Sequence, residues 1–145
     1  MKSFGWGIVF LLAMPPAPAA FAQKASDPVL ESAQMPKYPP VARTAHVTGD
    51  LEAEFTLDEG GNVASVRILS GPPLLARPTE ENIRTWKFHL PTENNRPGRK
   101  FKTTFAYRLS DRYVSRSRVP PISVTFDSFD RVEITSDQWN IEPSY

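Results

Sequence analysis

Gly49 to Ser70, GDLEAEFTLDEGGNVASVRILS, is the stretch that most restricts how the chain can fold. Leu51, Ala53, Phe55 and Leu57 alternate with Asp50, Glu52, Glu54 and Thr56. A period of two sends one face to a core and the other to water, so this is a half-buried strand. Asp58-Glu59-Gly60-Gly61-Asn62 then provides residues that tolerate positive φ, and Val63 to Leu69 runs back with Val66 and Ile68 on one face. The stretch reads as a β-hairpin. A lone pair of strands is marginal in water, so the remainder must supply a helix and further strands to cover its apolar side.

With 145 residues, 40% of them hydrophobic and 23% charged, the expectation is one globular domain behind a leader. Lys2, the apolar run Phe4 to Met14 and the small-x-small sequence Ala20-Phe21-Ala22 give residues 1–22 the form of a signal peptide cut after Ala22. The run is too short for the ~20 residues of a spanning helix. A periplasmic location follows as the expectation. The chain has no cysteine, so its stability must come from a hydrophobic core without disulfides. Charge is balanced overall but uneven along the chain: Arg84 to Arg118 is rich in Lys and Arg against only Glu93 and Asp111, with acidic segments on both sides.

Residues 23–37 are polar and aperiodic, and read as a flexible lead-in. Tyr38-Pro39-Pro40 opens a short helical turn ending near His46, since proline fits the first turn of a helix. Tyr38 is expected to pack on the sheet. After Gly71-Pro72-Pro73, the segment Pro78 to Trp86 reads as the main helix, with Pro78 early in it, and Leu75, Thr79, Ile83 and Trp86 on the side facing the hairpin. Thr92 to Gly98 is a polar loop. Lys100 to Leu109 is a third strand: Phe101, Thr103, Phe105, Tyr107 and Leu109 share one face, and Lys100, Lys102, Thr104 and Arg108 the other. Residues 110–121 read as a connection. In 122–145, Ile122, Val124 and Phe126 alternate, Asp127 to Asp130 turns, and Val132 and Ile134 alternate again, a second hairpin with a tail. The fold class expected is α+β: a small antiparallel sheet of three or more strands covered by one main helix, in the order β-β-α-β, plus a C-terminal β-hairpin.

The order Tyr38-Pro39, Ala42, Val47, Gly49, a strand holding Phe55, a Gly-Gly turn, Val66-x-Ile68-Leu69-Ser70-Gly71, Arg84-x-Trp86-Lys87-Phe88 and a closing strand resembles the TonB C-terminal domain family over about residues 36 to 109. The resemblance implies a periplasmic protein-binding module rather than a catalyst. Such domains pair an exposed edge strand with an extended segment of an outer-membrane transporter, main-chain hydrogen bonds supplying the affinity. Carried onto this chain, the partner-binding residues are Tyr38 and Pro39 with the strand residues Lys100, Phe101, Lys102, Thr103, Thr104, Phe105, Ala106, Tyr107 and Arg108. Self-pairing of that edge into a homodimer is a further option. A full TonB also has a membrane helix engaging ExbB and ExbD and a long proline-rich spacer. This chain carries neither pattern, so energy transduction itself is not expected. If the second hairpin joined the sheet beside Lys100 to Leu109, it would cap the very edge a transporter segment needs.

No catalytic constellation is apparent. There is no cysteine, His46 and His89 fall in different elements, and no zinc spacing exists, so no cofactor or metal is expected. Asp58-Glu59-Gly60-Gly61 lacks the alternating ligands and distal glutamate of a calcium loop and reads as a solvated turn. The rival to protein binding is a polyanion surface for peptidoglycan or lipopolysaccharide, formed by Arg96, Arg99, Lys100, Lys102 and Arg108 near Phe101 or Tyr107. An exported location makes nucleic acid the weakest such ligand.

Overall fold

The computed structural model describes residues 27–91, 98–115 and 118–139. The expected signal peptide, most of the loop before Lys100 and the last residues of the tail lie outside them. The chain runs β1 (Val29–Ser32), α1 (Pro40–Thr44), β2 (Gly49–Leu57), β3 (Val63–Ser70), α2 (Pro73–Ile83), β4 (Lys87–His89), β5 (Lys100–Val114), β6 (Ile122–Ser128) and β7 (Arg131–Trp139). Five strands form one sheet in the order β3-β2-β5-β7-β6, and β1 pairs with β4 in a separate two-stranded sheet. The α+β class and the C-terminal hairpin stand as the alternation implies. The sheet is mixed, however, because β7 runs parallel to β5 while the other neighbours are antiparallel.

The first hairpin closes where the glycines and Asp58 put it. Asp58 Oδ1 accepts the N–H groups of Gly60 and Asn62, both at 2.9 Å, which folds the turn and holds the Asp58 carboxyl below the usual carboxylate range, the Asn62 N–H being the largest cause. This is the solvated turn expected. Gly61, at φ +79°, also lets β4 approach: Phe88 N–H donates to Gly61 O at 2.8 Å, and a Cβ there would sit 1.9 Å from Phe88 O.

The core lies on one face of the sheet. Leu51, Ala53 and Phe55 of β2, Phe105 and Tyr107 of β5, and Val132 and Ile134 of β7 are fully buried there. Leu75, Thr79 and Ile83 of α2 cover them together with Trp86, Phe88 and Tyr38. Trp86 stacks on Phe105 and meets Phe55 edge-on, and Phe88 stacks on Phe55, so aromatic area carries much of the burial.

Three readings of the sequence need correction. Helix α2 starts at Pro73, which occupies the first-turn position assigned to Pro78; Pro78 sits inside the helix, and Trp86 lies beyond its end. Two prolines in the same segment both suit an N-terminus, and only the packing of Leu75 decided between them. The lead-in 23–37 contains β1, held by pairing with β4 and by Asn82, which donates from Nδ2 to Gln34 O at 2.8 Å. β5 continues to Val114, so much of the supposed connection 110–121 is strand.

Candidate functional site

The strand expected to be an exposed edge is the centre of the sheet. β5 pairs with β2 from Lys100 to Tyr107 and with β7 from Thr104 to Leu109, and again at Tyr113 and Val114. Phe105, Ala106 and Tyr107 are fully buried, Thr103 nearly so, and Phe101 is a core residue. Their side chains offer nothing to a partner, and from Thr104 to Tyr107 both main-chain edges are used within the chain. Tyr38 is also buried: it donates its hydroxyl hydrogen to Val47 O and packs edge-on against Tyr107 at 5.4 Å, the core role expected of it. Pro39 is the residue before α1. The predicted residues therefore divide into a buried set and a short open set.

The open set is the N-terminal end of β5. Thr104 N–H donates to Asp130 O at 2.8 Å, which turns the main-chain groups of even-numbered residues toward β7. β7 begins opposite Thr104, so the corresponding groups of Lys100 and Lys102 face a side with no strand among the described residues. A groove of about 720 Å³ lies at this end, lined by Asp27, Pro28, Val29, Leu30, Phe126, Ser128, Phe129 and Asp130. Two contacts fix it to the start of β5: Arg99, the residue before the strand, pairs with Asp27 at 3.0 Å, and Phe101 meets Phe129 edge-on at 6.0 Å. Its lining combines the apolar Pro28, Val29, Leu30, Phe126 and Phe129 with Asp27, Ser128 and Asp130. The sequence pointed to Lys100 to Thr103 but not to Val29, Leu30 or Phe129, whose contribution arises only when the lead-in and the second hairpin converge.

The basic band is largely neutralised. Lys100 Nζ is 3.1 Å from Glu54 Oε1, Arg108 pairs with Asp50, Arg99 pairs with Asp27, and Lys102 stands opposite Glu54 in the β2–β5 register. Arg96 lies outside the described residues. The outer face of the sheet is thus a mixed-charge ladder, because the acids of β2 alternate onto the same face as the bases of β5.

Arg43 is a second unusual feature. It is 4% exposed and has no carboxylate partner among the described residues; Nη2 donates to Tyr38 O at 3.2 Å, and Nε has no acceptor. Its guanidinium lies 5.8 Å from the Tyr38 ring centre and 5.0 Å from that of Trp139. Burial draws its pKa down, with Tyr38 opposing. The arrangement clasps the end of β7 to α1 through cation–π contact. No cluster of metal-ligating residues occurs among the described residues.

An α+β domain, with a helix-covered mixed sheet and a groove at the N-terminal end of its central strand, is the class defined by this geometry. The family model of the Gram-negative bacterial TonB protein C-terminal matches residues 34–109, more than half of the chain, and the chain belongs to that family. Protein TonB of Yersinia enterocolitica is 33% identical over 82 residues, covering 50% of this chain and 32% of that protein. The chain therefore matches about a third of that relative's length. The solution structure of the Pseudomonas aeruginosa TonB C-terminal domain is similar at 21% identity and a TM-score of 0.42, over 57% of this chain and 84% of that one. β6 and β7 lie beyond the matched residues.

Proposed function

We propose that the chain is a periplasmic protein-recognition module, associated with TonB-dependent outer-membrane transport, that receives an extended segment of a transporter or other envelope protein at the N-terminal end of β5. One observation carries this reading: among the described residues no strand pairs with Lys100 and Lys102 on the side where β7 has not yet begun, next to the groove of Val29, Leu30, Phe126 and Phe129. A short added strand gains hydrogen bonds from such main chain and specificity from a neighbouring pocket. Covering of β5 from Thr104 onward shortens the contact relative to a fully open edge. Recognition through charge alone is disfavoured by the pairing of Lys100, Arg108 and Arg99 with carboxylates.

The test is titration of the chain with a peptide carrying the extended segment of a TonB-dependent outer-membrane transporter, followed by amide NMR. Shifts are expected at Lys100, Lys102, Val29 and Leu30, with little loss of affinity between low and moderate salt and retention of binding in Lys100→Ser and Lys102→Ser. Steep weakening with salt, or loss of binding in both serine variants, would mark a charge-driven polyanion site instead. Shifts confined to β3 would overturn the location.

A further inference from the structure

Closing the outer edge of β5 leaves the five-stranded sheet with two margins, β3 and β6. They differ in protection. The pairing of β3 with β2 shifts register twice, and β3 carries Arg67, so its edge is irregular and charged. In β6 the run Ile122-Ser123-Val124-Thr125-Phe126 pairs with β7 without interruption and has no charge and no proline. None of the usual devices that discourage pairing is present along that run.

The direction of its main chain can be read from one hydrogen bond. Asp137 N–H donates to Pro121 O at 3.2 Å, so the odd-numbered residues of β6 turn their main-chain groups to β7. Ile122, Val124 and Phe126 therefore present N–H and C=O outward, away from the sheet. Their side chains are half-buried on the core face, while Ser123 and Thr125 are exposed on the other.

We infer that β6 pairs antiparallel with β6 of a second copy of this chain, with Val124 on the two-fold axis. The run is self-complementary in that register: Ile122 meets the partner's Phe126, Val124 meets the partner's Val124, and Ser123 meets the partner's Thr125. Apolar residues then face apolar ones on the core side, and hydroxyls face hydroxyls on the other. Each of the three outward-facing pairs exchanges two main-chain hydrogen bonds, and no like charges are opposed. A register moved by one residue sets the core face of one copy against the solvent face of the other; a move by two opposes a proline or Asp127. Val119, 86% exposed just before the strand, comes level with the partner's Phe129. One strand pair is small beside the ~1,200–2,000 Å² of stable interfaces, so the dimer forms as a concentration-dependent equilibrium. The pairing is isologous and closes at two copies. It depends on the outer main chain of β6 and not on the open end of β5, and it shares only Phe126 and Phe129 with the groove of the transporter-segment reading.

Sedimentation of the purified chain from micromolar to millimolar concentration tests it, with the mass expected to rise from one chain to two. Val124→Pro is the discriminating variant: its N–H faces solvent in the monomer, where an edge strand tolerates proline, but is a donor across the dimer axis. It is expected to keep the fold and the unfolding transition and to remain monomeric. Because the chain lacks cysteine, Val124→Cys gives an independent readout should Val124→Pro fail to fold. Opposed residues of a hydrogen-bonded antiparallel pair lie ~5.5 Å apart at Cα, within disulfide range, so Val124→Cys cross-links on mild oxidation. Ile122→Cys, distant from its own copy, does not. A monomer at every concentration, association unchanged by Val124→Pro, or equal cross-linking of the two cysteine variants would each overturn the inference.

Discussion

Tyr107 shows how one residue of this core ties folding to pH. Its ring is fully buried and its hydroxyl lies 2.8 Å from Thr79 Oγ1. Burial is the main cause that raises its pKa from 10.0 to about 12, with the Thr79 hydrogen bond opposing. Between those values the unfolded chain has released the proton and the folded chain retains it, so stability must fall as pH rises. The contribution is complete below pH 10 and is lost toward pH 12, about 3 kcal/mol over the interval. Tyr38 is shifted upward as well, burial again leading, and adds in the same direction. Denaturant unfolding across the alkaline range, with tyrosinate absorbance as a second probe, should show this loss. Tyr107→Phe should flatten it, while costing about 1 kcal/mol at neutral pH through the hydroxyl contact. A variant as alkali-sensitive as the parent would place the proton uptake elsewhere.

Among the elements, β5 carries the most consequential pattern. Its alternation already assigns Phe101, Thr103, Phe105, Tyr107 and Leu109 to the core face, and the structure agrees. Side-chain alternation is nevertheless silent about what lies beside a strand, since a central and an edge strand can share the same facing residues. The main chain gives the measurable difference. Hydrogen exchange of the free protein should be slow at the Thr104, Ala106 and Arg108 amides, which face β7, and faster at Lys102, which precedes the first residue paired with β7. Fast exchange at Thr104, Ala106 and Arg108 while the Phe105 and Tyr107 amides, which face β2, stay slow would show β7 to be detached in solution and would restore the full edge as a docking site.

For the whole molecule, the C-terminal hairpin is part of the core rather than an appendage. Val132 and Ile134 are fully buried, Phe126 meets Trp86, and Phe129 meets Phe55, Phe88 and Phe101. Burying one such aliphatic side chain is worth about 1.5–3 kcal/mol, so the two aliphatics alone contribute about 3–6 kcal/mol, on the scale of the whole stability of a small domain. Release of the hairpin to admit a partner is correspondingly costly, which is the reason the proposed site is placed at the end of β5. Deleting residues 120–145 is expected to abolish the cooperative thermal transition followed by circular dichroism, or to lower its midpoint by more than about 10 °C. An unchanged transition would reduce the hairpin to a removable cover.

Local chemistry in the sequence settled both hairpins, the glycine turn, the core face of β5 and the family, because strand alternation and turn residues act over a few neighbours. Which proline opened α2, whether the lead-in formed a strand, and what lay beside β5 depended on Leu75, on Asn82 reaching Gln34, and on β7 returning parallel to β5. Those choices join residues distant along the chain. Only the tertiary structure could make them, since a strand's own residues specify its faces while its neighbours are chosen by the best burial available to the chain as a whole.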